Sequence, residues 1–579
     1  MRITNLDVQN FRGIKKCSIA FPLNTRLVCL IGAGDSTKST LLKAIEWILW
    51  PAWNLQATDM DFSDGDTKTP ITLRGTFTEL PESLLSEDKF GLYLRRPNIP
   101  VSPDIDDEPR DDCPHCLTLQ LTISETLEPQ WEVVCNRLEP KPISLADRRT
   151  LSCGSIGDNY SRDMYWGRQS VLQRYSDAKD PLRGVYMNAL RSVAKDADFS
   201  SLDKVSETII EVGKEYGVSF STNVRNGFII QNAYSSTSTP VGLFDGNVPL
   251  GQRGTGSQRL LSMGLNIGAS DNGSILLIDE IENGLEPYRL CSVINELRLK
   301  QKDSGQTIMT THSSVTVEEC TIEELLIVRS EHGETKAYSL KGNDRKTNEA
   351  MQAEVRRNAK AFLCKRIIVC EGNTEIGFIR AFDTYLSEFE KIRLAYKGIG
   401  TADGKGSSIF DCARRLLKCG YDVCLFMDND RADEKPHKEA LRAEGVSVFD
   451  WDEPNAIEEQ VFADVPSVLA EELVNVALRE HGMRVYHTLI TQGIPCEMIG
   501  EYVRLLAMEH EVQRSIGSIA KENQDGKNKK SEKKGEWFKR ISLGEAMGSV
   551  VFNNLDMIDT TRTLCRVMGN LYRWVIRND

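Results

Sequence analysis

The chain has 579 residues, a formal net charge of −13 at pH 7 and 15 scattered cysteines. Its length predicts about three or four domains, each with its own core. The negative charge excludes a basic coat over the whole surface, so any contact with nucleic acid must come from a local patch. No targeting segment or membrane-length apolar run is apparent, which predicts a cytoplasmic protein without membrane contact.

The N-terminal region contains a phosphate-binding loop. An apolar run over residues 26–31 predicts a strand, and it leads into GAGDSTKST (residues 32–40) and then a helical pattern. In such a loop, backbone N–H groups surround phosphates, Lys38 would reach the β- and γ-phosphates, and Ser39 would place Mg²⁺. Thr37 stands where glycine is usual, at a position of unusual dihedral angles or close approach to phosphate. We expect nucleotide binding to be retained, with hydrolysis slowed.

The next 180 residues carry weaker signals. Alternating apolar residues predict strands within 71–77 and 117–134. The pair Cys113 and Cys116 resembles half of a zinc site, but no second pair follows at ribbon or finger spacing. From 147 to 216 the pattern becomes helical, for instance over 205–213. The apolar stripe of that helix could form a dimer contact or pack on its own domain, and the sequence leaves both alternatives open.

Three downstream segments are the expected partners of the phosphate-binding loop. The strand 274–278 ends in Asp279 and Glu280, which would bind Mg²⁺ and polarise water. A later strand, 307–311, is followed by His312, which could contact the γ-phosphate. Ahead of both, the glycine-rich stretch 251–259 resembles the signature loop of ABC-type ATPases. In those enzymes this loop closes over nucleotide held by a second subunit, so the resemblance implies a head-to-tail pair.

The second half contains two predicted buried strands, 366–370 and 422–427, that both end in acids. Four carboxylates are expected to meet at the same edge of a sheet: Glu371, Glu375, Asp428 and Asp430. Oxygen ligands without histidine or thiolate suit Mg²⁺ or Mn²⁺, and two such ions can support phosphodiester hydrolysis. The alternative is that they are solvated carboxylates, which are common at strand ends of α/β folds.

The two acidic elements resemble those of the Toprim domain, the metal-binding fold of primases, topoisomerases and several nucleases. The segment 451–459 is similar to its third acidic motif, which implies Glu458 as a fifth ligand, with Glu459 as the alternative. A primase or topoisomerase is less consistent with this chain, since no zinc ribbon or strand-passage tyrosine context is recognisable. Near the C-terminus, the sequence contains a lysine-rich run formed by Lys527, Lys529, Lys530, Lys533 and Lys534. This run is either a solvated loop or a segment that binds the DNA backbone.

The opening segment 3–14, ITNLDVQNFRGI, is typical of RecF- and SMC-like ATPases. An ATPase head followed by Toprim resembles the overcoming-lysogenisation-defect (OLD) nucleases, whose relatives include the Gabija nuclease and effectors found beside retron reverse transcriptases. The resemblance implies an ATP site formed by Gly32, Gly34, Lys38, Ser39, Thr40, Asp279, Glu280 and His312. It implies Mg²⁺ or Mn²⁺ at Glu371, Glu375, Asp428, Asp430 and Glu458, with Lys539 either assisting phosphate chemistry or serving only as a phosphate anchor.

The predicted fold is therefore α/β and multidomain. The predicted domains are an ATPase N-lobe (1–146), a helical insertion that dimerises (147–216), an ATPase C-lobe (217–345), a Toprim core (346–465) and a helical C-terminal region (466–579). The predicted function is ATP-regulated, metal-dependent DNA endonuclease activity in antiphage defence. The predicted assembly is a homo-oligomer, either dimer or tetramer, with a co-encoded partner such as a helicase or a reverse transcriptase with its DNA product. The alternative function is a non-cleaving ATP-dependent DNA clamp that acts through a partner nuclease.

Overall fold

The structure is a computed structural model that describes residues 1–97, 105–109, 114–151, 153–157, 163–166, 171–175, 199–221, 224–228, 241–269, 273–506, 510–521 and 536–577. The chain divides into two compact units, Met1–Arg356 and Arg357–Asp579. The division falls inside the helix Arg345–Asn358, close to the boundary predicted at residue 346. No helix among these residues is both long and apolar enough to cross a membrane.

The described strands of the first unit are β1 (Arg2–Phe11), β2 (Ile14–Ala20), β3 (Leu27–Ile31), β4 (Ile71–Thr78), β5 (Arg96–Pro97), β6 (Ile105–Asp106), β7 (Cys116–Ile123), β8 (Pro129–Val134), β9 (Lys141–Pro142), β10 (Cys153–Ile156), β11 (Val224–Phe228), β12 (Val241–Asp245), β13 (Val248–Pro249), β14 (Ile275–Ile278), β15 (Gln306–Thr310), β16 (Leu325–Glu331) and β17 (Glu334–Ser339). Its helices are α1 (Lys38–Ile48), α2 (Glu82–Leu85), α3 (Leu145–Arg148), α4 (Asp203–Glu215), α5 (Thr255–Ala269), α6 (Pro287–Lys300), α7 (Ser314–Glu319) and α8 (Arg345–Asn358).

One large mixed sheet organises this unit, in the order β10-β14-β15-β3-β16-β17-β2-β1-β4-β7-β8-β9. The strands β14, β15, β3 and β16 are parallel neighbours, and the first three are buried along their whole length. Their continuous apolar sequences suit a parallel sheet covered on both faces. Because parallel strands end at a common edge, the segments that follow β3, β14 and β15 come together there.

The predicted strands at 71–77 and 117–134 are confirmed as β4 and the hairpin β7–β8. Within the predicted insertion, the described part contains a strand as well as helices, since β10 pairs with β14 at the edge of the large sheet. The helix predicted around 205–213 is α4. Its apolar residues Val205 and Ile209 are buried in a small core with Leu261 and Leu265 of α5, so this stripe packs on its own unit. Cys113 and residues 176–198 lie outside the described part of the chain.

The described strands of the second unit are β18 (Arg366–Cys370), β19 (Ile399–Asp403), β20 (Asp422–Met427), β21 (Ser447–Asp450), β22 (Cys496–Ile499) and β23 (Tyr502–Leu505). Its helices are α9 (Asn373–Tyr385), α10 (Ile409–Lys418), α11 (Lys435–Ala443), α12 (Ile457–Asp464), α13 (Ser467–His481), α14 (Met483–Thr491), α15 (His510–Lys521), α16 (Ile541–Phe552) and α17 (Thr563–Ile576). The first four strands form a wholly parallel sheet in the order β19-β18-β20-β21. After β21 the described residues are mostly helical, with the additional hairpin β22–β23.

Glycines bring α16 into close contact with α9. A Cβ on Gly377 would lie 2.2 Å from the carbonyl oxygen of Ile541, and one on Gly544 would lie 2.3 Å from that of Thr374. The hydroxyl of Thr374 also donates to the carbonyl of Phe538 at 3.0 Å. This packing requires the absence of side chains at the two glycines, and it fixes the segment around Lys539 beside the first turn of α9.

Candidate functional site

The phosphate-binding loop connects β3 to α1, as its sequence predicts. Lys38 is buried, and its Nζ donates to the carbonyls of Gly32 (3.1 Å) and Ala33 (2.8 Å) and to the hydroxyl of Ser36 (3.1 Å). Burial lowers the pKa of Lys38 to about 8, although the nearby acids, foremost Asp279, act in the opposite direction. The lysine is therefore held within the loop at the start of α1.

Two glycines of the loop have different surroundings. Gly32 has a φ of 146°, and a Cβ there would lie 2.4 Å from the carbonyl oxygen of Val328, so only glycine fits. A Cβ on Gly34 would meet nothing within 4 Å, so this position borders open space. Thr40 lies in the first turn of α1.

Thr37 adopts the left-handed conformation that glycine normally takes, with φ 65° and ψ 13°, which confirms the expected unusual dihedral angles. Its hydroxyl donates to the carbonyl of Ser36 at 2.6 Å and lies 3.0 Å from the hydroxyl of Thr335. A β-branched residue in this region is strained by about 1–2 kcal/mol. The hydroxyl contacts offset part of that strain.

We expect Thr37→Gly to change the unfolding free energy by less than about 1 kcal/mol, because relief of strain opposes the lost hydroxyl contacts and the greater freedom of the unfolded chain. Thr37→Val keeps the strain and loses the hydroxyl, so it should destabilise by about 1–2 kcal/mol. Thermal unfolding of both variants measures the difference. A valine variant as stable as wild type would show that the hydroxyl contributes nothing.

The acid after β14 meets the loop. Asp279 Oδ1 accepts from the hydroxyl of Ser39 at 3.0 Å and from that of Thr310 at 2.5 Å. The backbone N–H of Glu280 donates to the same Thr310 hydroxyl at 2.8 Å, and Glu280 has a φ of 46°. The structure therefore brings together the two residues expected to hold nucleotide-bound Mg²⁺, Ser39 and Asp279.

The signature-like stretch forms the start of α5. Arg259, which is fully buried, donates to the carbonyls of Asp279 (2.5 Å) and Glu280 (3.0 Å). A Cβ on Gly256 would lie 2.5 Å from the carbonyl oxygen of Gly284, in the turn that follows Glu280. The glycine-rich stretch is therefore packed against the end of β14 rather than being a free turn.

The predicted acids of the second unit lie at the carboxyl edge of its parallel sheet. Glu371 follows β18 and Asp428 follows β20, and the backbone N–H of Asp428 donates to Glu371 Oε2 at 3.1 Å. Asp428 Oδ1 accepts from the backbone N–H of Ile457 at 2.8 Å, at the start of α12. Glu375 accepts from the backbone N–H of Gly372 at 2.8 Å, as the capping residue of α9.

These carboxylates are close enough to disfavour each other's ionisation. Burial, then the charges of Glu458 and Glu371, raises the pKa of Glu375 to about 7. Burial, then the charge of Glu375, raises the pKa of Asp428 well above its ordinary value. The pKa of Glu371 is also raised, chiefly by burial. The site therefore concentrates buried negative charge at the sheet edge.

Glu458 and Glu459 occupy different surroundings, although they are adjacent in sequence. Glu458 is fully buried, and the Nζ of Lys539 lies 3.5 Å from its Oε1. Among the described residues, its Oε atoms have no closer hydrogen-bond donor. Glu459 instead accepts from the N–H of Ala456 (2.9 Å) and from Lys521 (2.8 Å). The structure places Glu458 with the acidic group and gives Glu459 the role of capping α12.

Two lysines that the sequence did not single out hold this edge in place. Lys521 lies 3.2 Å from Asp430 Oδ2 while it binds Glu459, so Asp430 lies at the side of the group. Lys438 is buried and donates to the carbonyl of Asp428 at 2.8 Å and to the amide oxygen of Asn429 at 2.9 Å. Both lysines lie on helices with several other charged residues, so sequence pattern does not separate them from surface lysines.

The fit of the acidic group to a divalent cation rests on its chemistry. All its donors are carboxylate oxygens, which hard cations prefer, and among the described residues the buried oxygens of Glu458 have only the 3.5 Å contact with Lys539. Among the residues the structure describes, no three His, Cys, Asp or Glu side chains are already arranged to hold a metal ion.

The lysine-rich run predicted near the C-terminus lies outside the described residues: Lys527, Lys529, Lys530, Lys533 and Lys534.

We expect the metal-free protein to melt at a lower temperature at pH 7.5 than at pH 6. The folded pKa of Glu375, about 7, lies above its ordinary value of 4.5, so the folded state binds more protons and loses stability as pH rises between these values. Mg²⁺ or Mn²⁺ should raise the melting temperature more at pH 7.5 than at pH 6. Differential scanning fluorimetry measures both, and Glu375→Gln should flatten the pH dependence. Equal stabilisation by metal at the two pH values would contradict the expectation.

Comparison with known families identifies the class of the first unit. Residues 1–112 match the family model described as AAA ATPase domain, and residues 171–318 match the one described as AAA domain, putative AbiEii toxin, Type IV TA system. The first unit thus carries an ATPase domain of the AAA class, whose members bind nucleotide. No curated protein matches the chain.

Solved structures similar to the chain include three heads of the SMC type. The first is an Smc head bound to the C-terminal winged-helix domain of ScpA, with 15% identity, a TM-score of 0.36, and coverage of 58% of this chain and 97% of that chain. The second is an Smc head with an extended coiled coil bound to the C-terminal domain of ScpA derived from Pyrococcus furiosus, with 13% identity, a TM-score of 0.36, and coverage of 61% of this chain and 99% of that chain. The third is the SMC head domain from Thermotoga maritima, with 13% identity, a TM-score of 0.29, and coverage of 59% of this chain and 100% of that chain.

Proposed function

We propose that the protein is an ATP-regulated, divalent-metal-dependent DNA endonuclease with a Toprim-type centre. The observation that carries the proposal is the acidic group at the carboxyl edge of a four-stranded parallel sheet, formed by the buried Glu375, Asp428 and Glu458 and the half-buried Glu371. Buried carboxylates that raise one another's pKa are unfavourable in a purely structural role, and they are frequent at functional sites. Its DNA substrate, oligomeric state, partner and antiphage role rest on the resemblance to OLD nucleases.

The residues divide the work of phosphodiester hydrolysis between them. Glu371, Glu375, Asp428, Asp430 and Glu458 would hold Mg²⁺ or Mn²⁺, which supplies water activation and neutralisation of charge on the phosphate. Lys539, whose Nζ lies 3.5 Å from Glu458 Oε1, would lie beside the scissile phosphate and stabilise charge that develops on it. Lys438 keeps the backbone of Asp428 in place during the reaction.

Incubation of supercoiled plasmid with the purified protein and Mg²⁺ or Mn²⁺ tests the proposal. Wild type should produce nicked or linear DNA, and Glu371→Ala and Asp428→Ala should not. Asp433→Ala is the matched control, because Asp433 is an exposed acid only five positions beyond Asp428. An intact plasmid with wild type under all metal conditions, or cleavage that persists in both alanine variants, would refute the proposed chemistry.

One observation favours the second candidate, a non-cleaving ATP-dependent DNA clamp. Lys539 and Lys521 already neutralise Glu458 and Asp430, and no three acids among the described residues are arranged for a metal as they stand. ATP-dependent retention of plasmid without cleavage would identify the clamp.

A further inference from the structure

A third acid follows the two that end β14. Glu282 is half-buried in the turn between β14 and α6, and sequence pattern assigns it no role in the proposed ATP site. Burial lowers the pKa of Lys38, and the charge of Glu282, after that of Asp279, acts to raise it. Its Oε2 accepts from the hydroxyl of Thr311 at 2.6 Å, and its Oε1 accepts from the backbone N–H of His312 at 2.5 Å. Both oxygens of one side chain are therefore bound to two consecutive residues at the end of β15.

Among the described residues, the backbone N–H of His312 donates to Glu282. The hydroxyl of Thr310 also links the ends of β15 and β14, since it donates to Asp279 and accepts from the N–H of Glu280. Neither of these two hydrogen bonds involves the backbone of His312. On the other side, the chain is fixed by Ser313, whose hydroxyl accepts from the N–H of Val315 as the N-cap of α7. His312 thus leaves the sheet between a bidentate carboxylate and a capped helix, and removal of Glu282 releases one of these two restraints.

We propose that Glu282 is a positioning residue that orients His312 toward the nucleotide and thereby sets the rate of ATP hydrolysis. The inference rests on the proposed ATP site, in which Lys38, Asp279, Glu280 and His312 act on the phosphates. Small displacements of a catalytic group cost rate far more than they cost substrate binding. Glu282 therefore acts on kcat, through His312, and leaves nucleotide affinity nearly unchanged.

The chemistry of the two hydrogen bonds supplies a sharp test. A glutamine at 282 can accept from the His312 N–H with its oxygen and donate to the Thr311 hydroxyl with its nitrogen, so it preserves both contacts. Glu282→Gln should retain at least about a third of wild-type kcat, whereas Glu282→Ala should lose about a hundredfold. Glu280→Gln is the matched control, because a neutral isostere cannot act as a base, and it should lose activity despite its shape.

Single-turnover hydrolysis of radiolabelled ATP, with protein in excess, measures the chemical step even when turnover is slow. Equilibrium binding of a fluorescent ATP analogue and the melting temperature are recorded for each variant. We expect Glu282→Ala to keep nucleotide affinity within about threefold of wild type. Glu282→Gln as impaired as Glu282→Ala would overturn the inference by showing a direct chemical role. Loss of nucleotide binding together with a lowered melting temperature in Glu282→Ala would overturn it by showing a merely structural role.

A double-mutant cycle with His312→Ala tests whether the effect runs through the histidine. If it does, Glu282→Ala adds less than about threefold to the defect of His312→Ala, because the group it positions is already gone. Fully multiplicative defects would contradict the inference. Failure of the proposed ATP site is recognised separately, since Lys38→Ala would then leave nucleotide binding unchanged. If Lys38→Ala impairs nucleotide binding but Glu282→Ala hydrolyses ATP at the wild-type rate, the proposed ATP site stands and the inference about Glu282 is overturned.

Discussion

Glu458→Gln is expected to lower metal-dependent plasmid nicking by about a thousandfold, equivalent to about 4 kcal/mol of transition-state stabilisation. The carboxylate is fully buried, and its contact among the described residues is the Nζ of Lys539 at 3.5 Å from Oε1, so a bound cation would supply closer ligation of its oxygens. The same change should alter the melting temperature of the metal-free protein by less than about 2 °C, because removal of a charge that repels Glu375 and Asp428 is opposed by loss of the ion pair with Lys539. Retained stability combined with lost activity is the signature of a residue retained for function.

Glu459→Gln is the matched control for this prediction. Glu459 is the adjacent residue of the same type, but it caps α12 and binds Lys521, so the change should cost about 1 kcal/mol of stability. Nicking should stay within about tenfold of wild type, because Glu459 lies outside the buried group. Nicking rates over a series of Mn²⁺ concentrations, with melting curves in chelator, measure both effects. The reverse result, with Glu459→Gln inactive and Glu458→Gln active, would show that the acidic centre is assigned to the wrong residue.

Lys38→Ala is expected to weaken ATP binding by about a hundredfold, since Lys38 is the only basic residue in the loop sequence 32–40 and its ammonium lies within the loop. The buried ammonium also ties together Gly32, Ala33 and Ser36, so the variant loses order in the loop as well as charge. Regulation of nicking by ATP should be lost with it. Titration with a fluorescent ATP analogue measures the affinity, and nicking with and without ATP measures the regulation.

Lys43→Ala serves as the control for Lys38→Ala. Lys43 lies on the same helix, α1, and pairs only with Glu46, at 2.8 Å, among the described residues. Such a pair contributes about 0.3–0.5 kcal/mol, so ATP affinity should be unchanged. Unchanged ATP affinity in Lys38→Ala as well would mean that the loop does not bind phosphate in this protein.

Local sequence was sufficient to predict a strand, loop or helix wherever the pattern lay within one continuous segment of the chain. Apolar periodicity and glycine placement predict three groups of elements: the strand, loop and helix around Lys38, the buried strands β14, β15, β18 and β20, and the helix Asp203–Glu215. Parallel buried strands are continuous apolar runs, and acids directly after them must lie at the sheet edge. The expected neighbourhood of Glu371 and Asp428 follows from that rule.

The tertiary structure decided what depends on packing between distant segments. The choice between Glu458 and Glu459 was open in the sequence, because a helix start exposes one of two adjacent residues according to what packs against it. In the structure, α15 presents Lys521 to Glu459, and the segment before α16 presents Lys539 to Glu458. The hold of Glu282 on His312 likewise joins residues 30 positions apart, through a turn whose path no local pattern specifies. Sequence periodicity determines which face of an element is buried, whereas the partner of each polar group is determined only when separate elements meet.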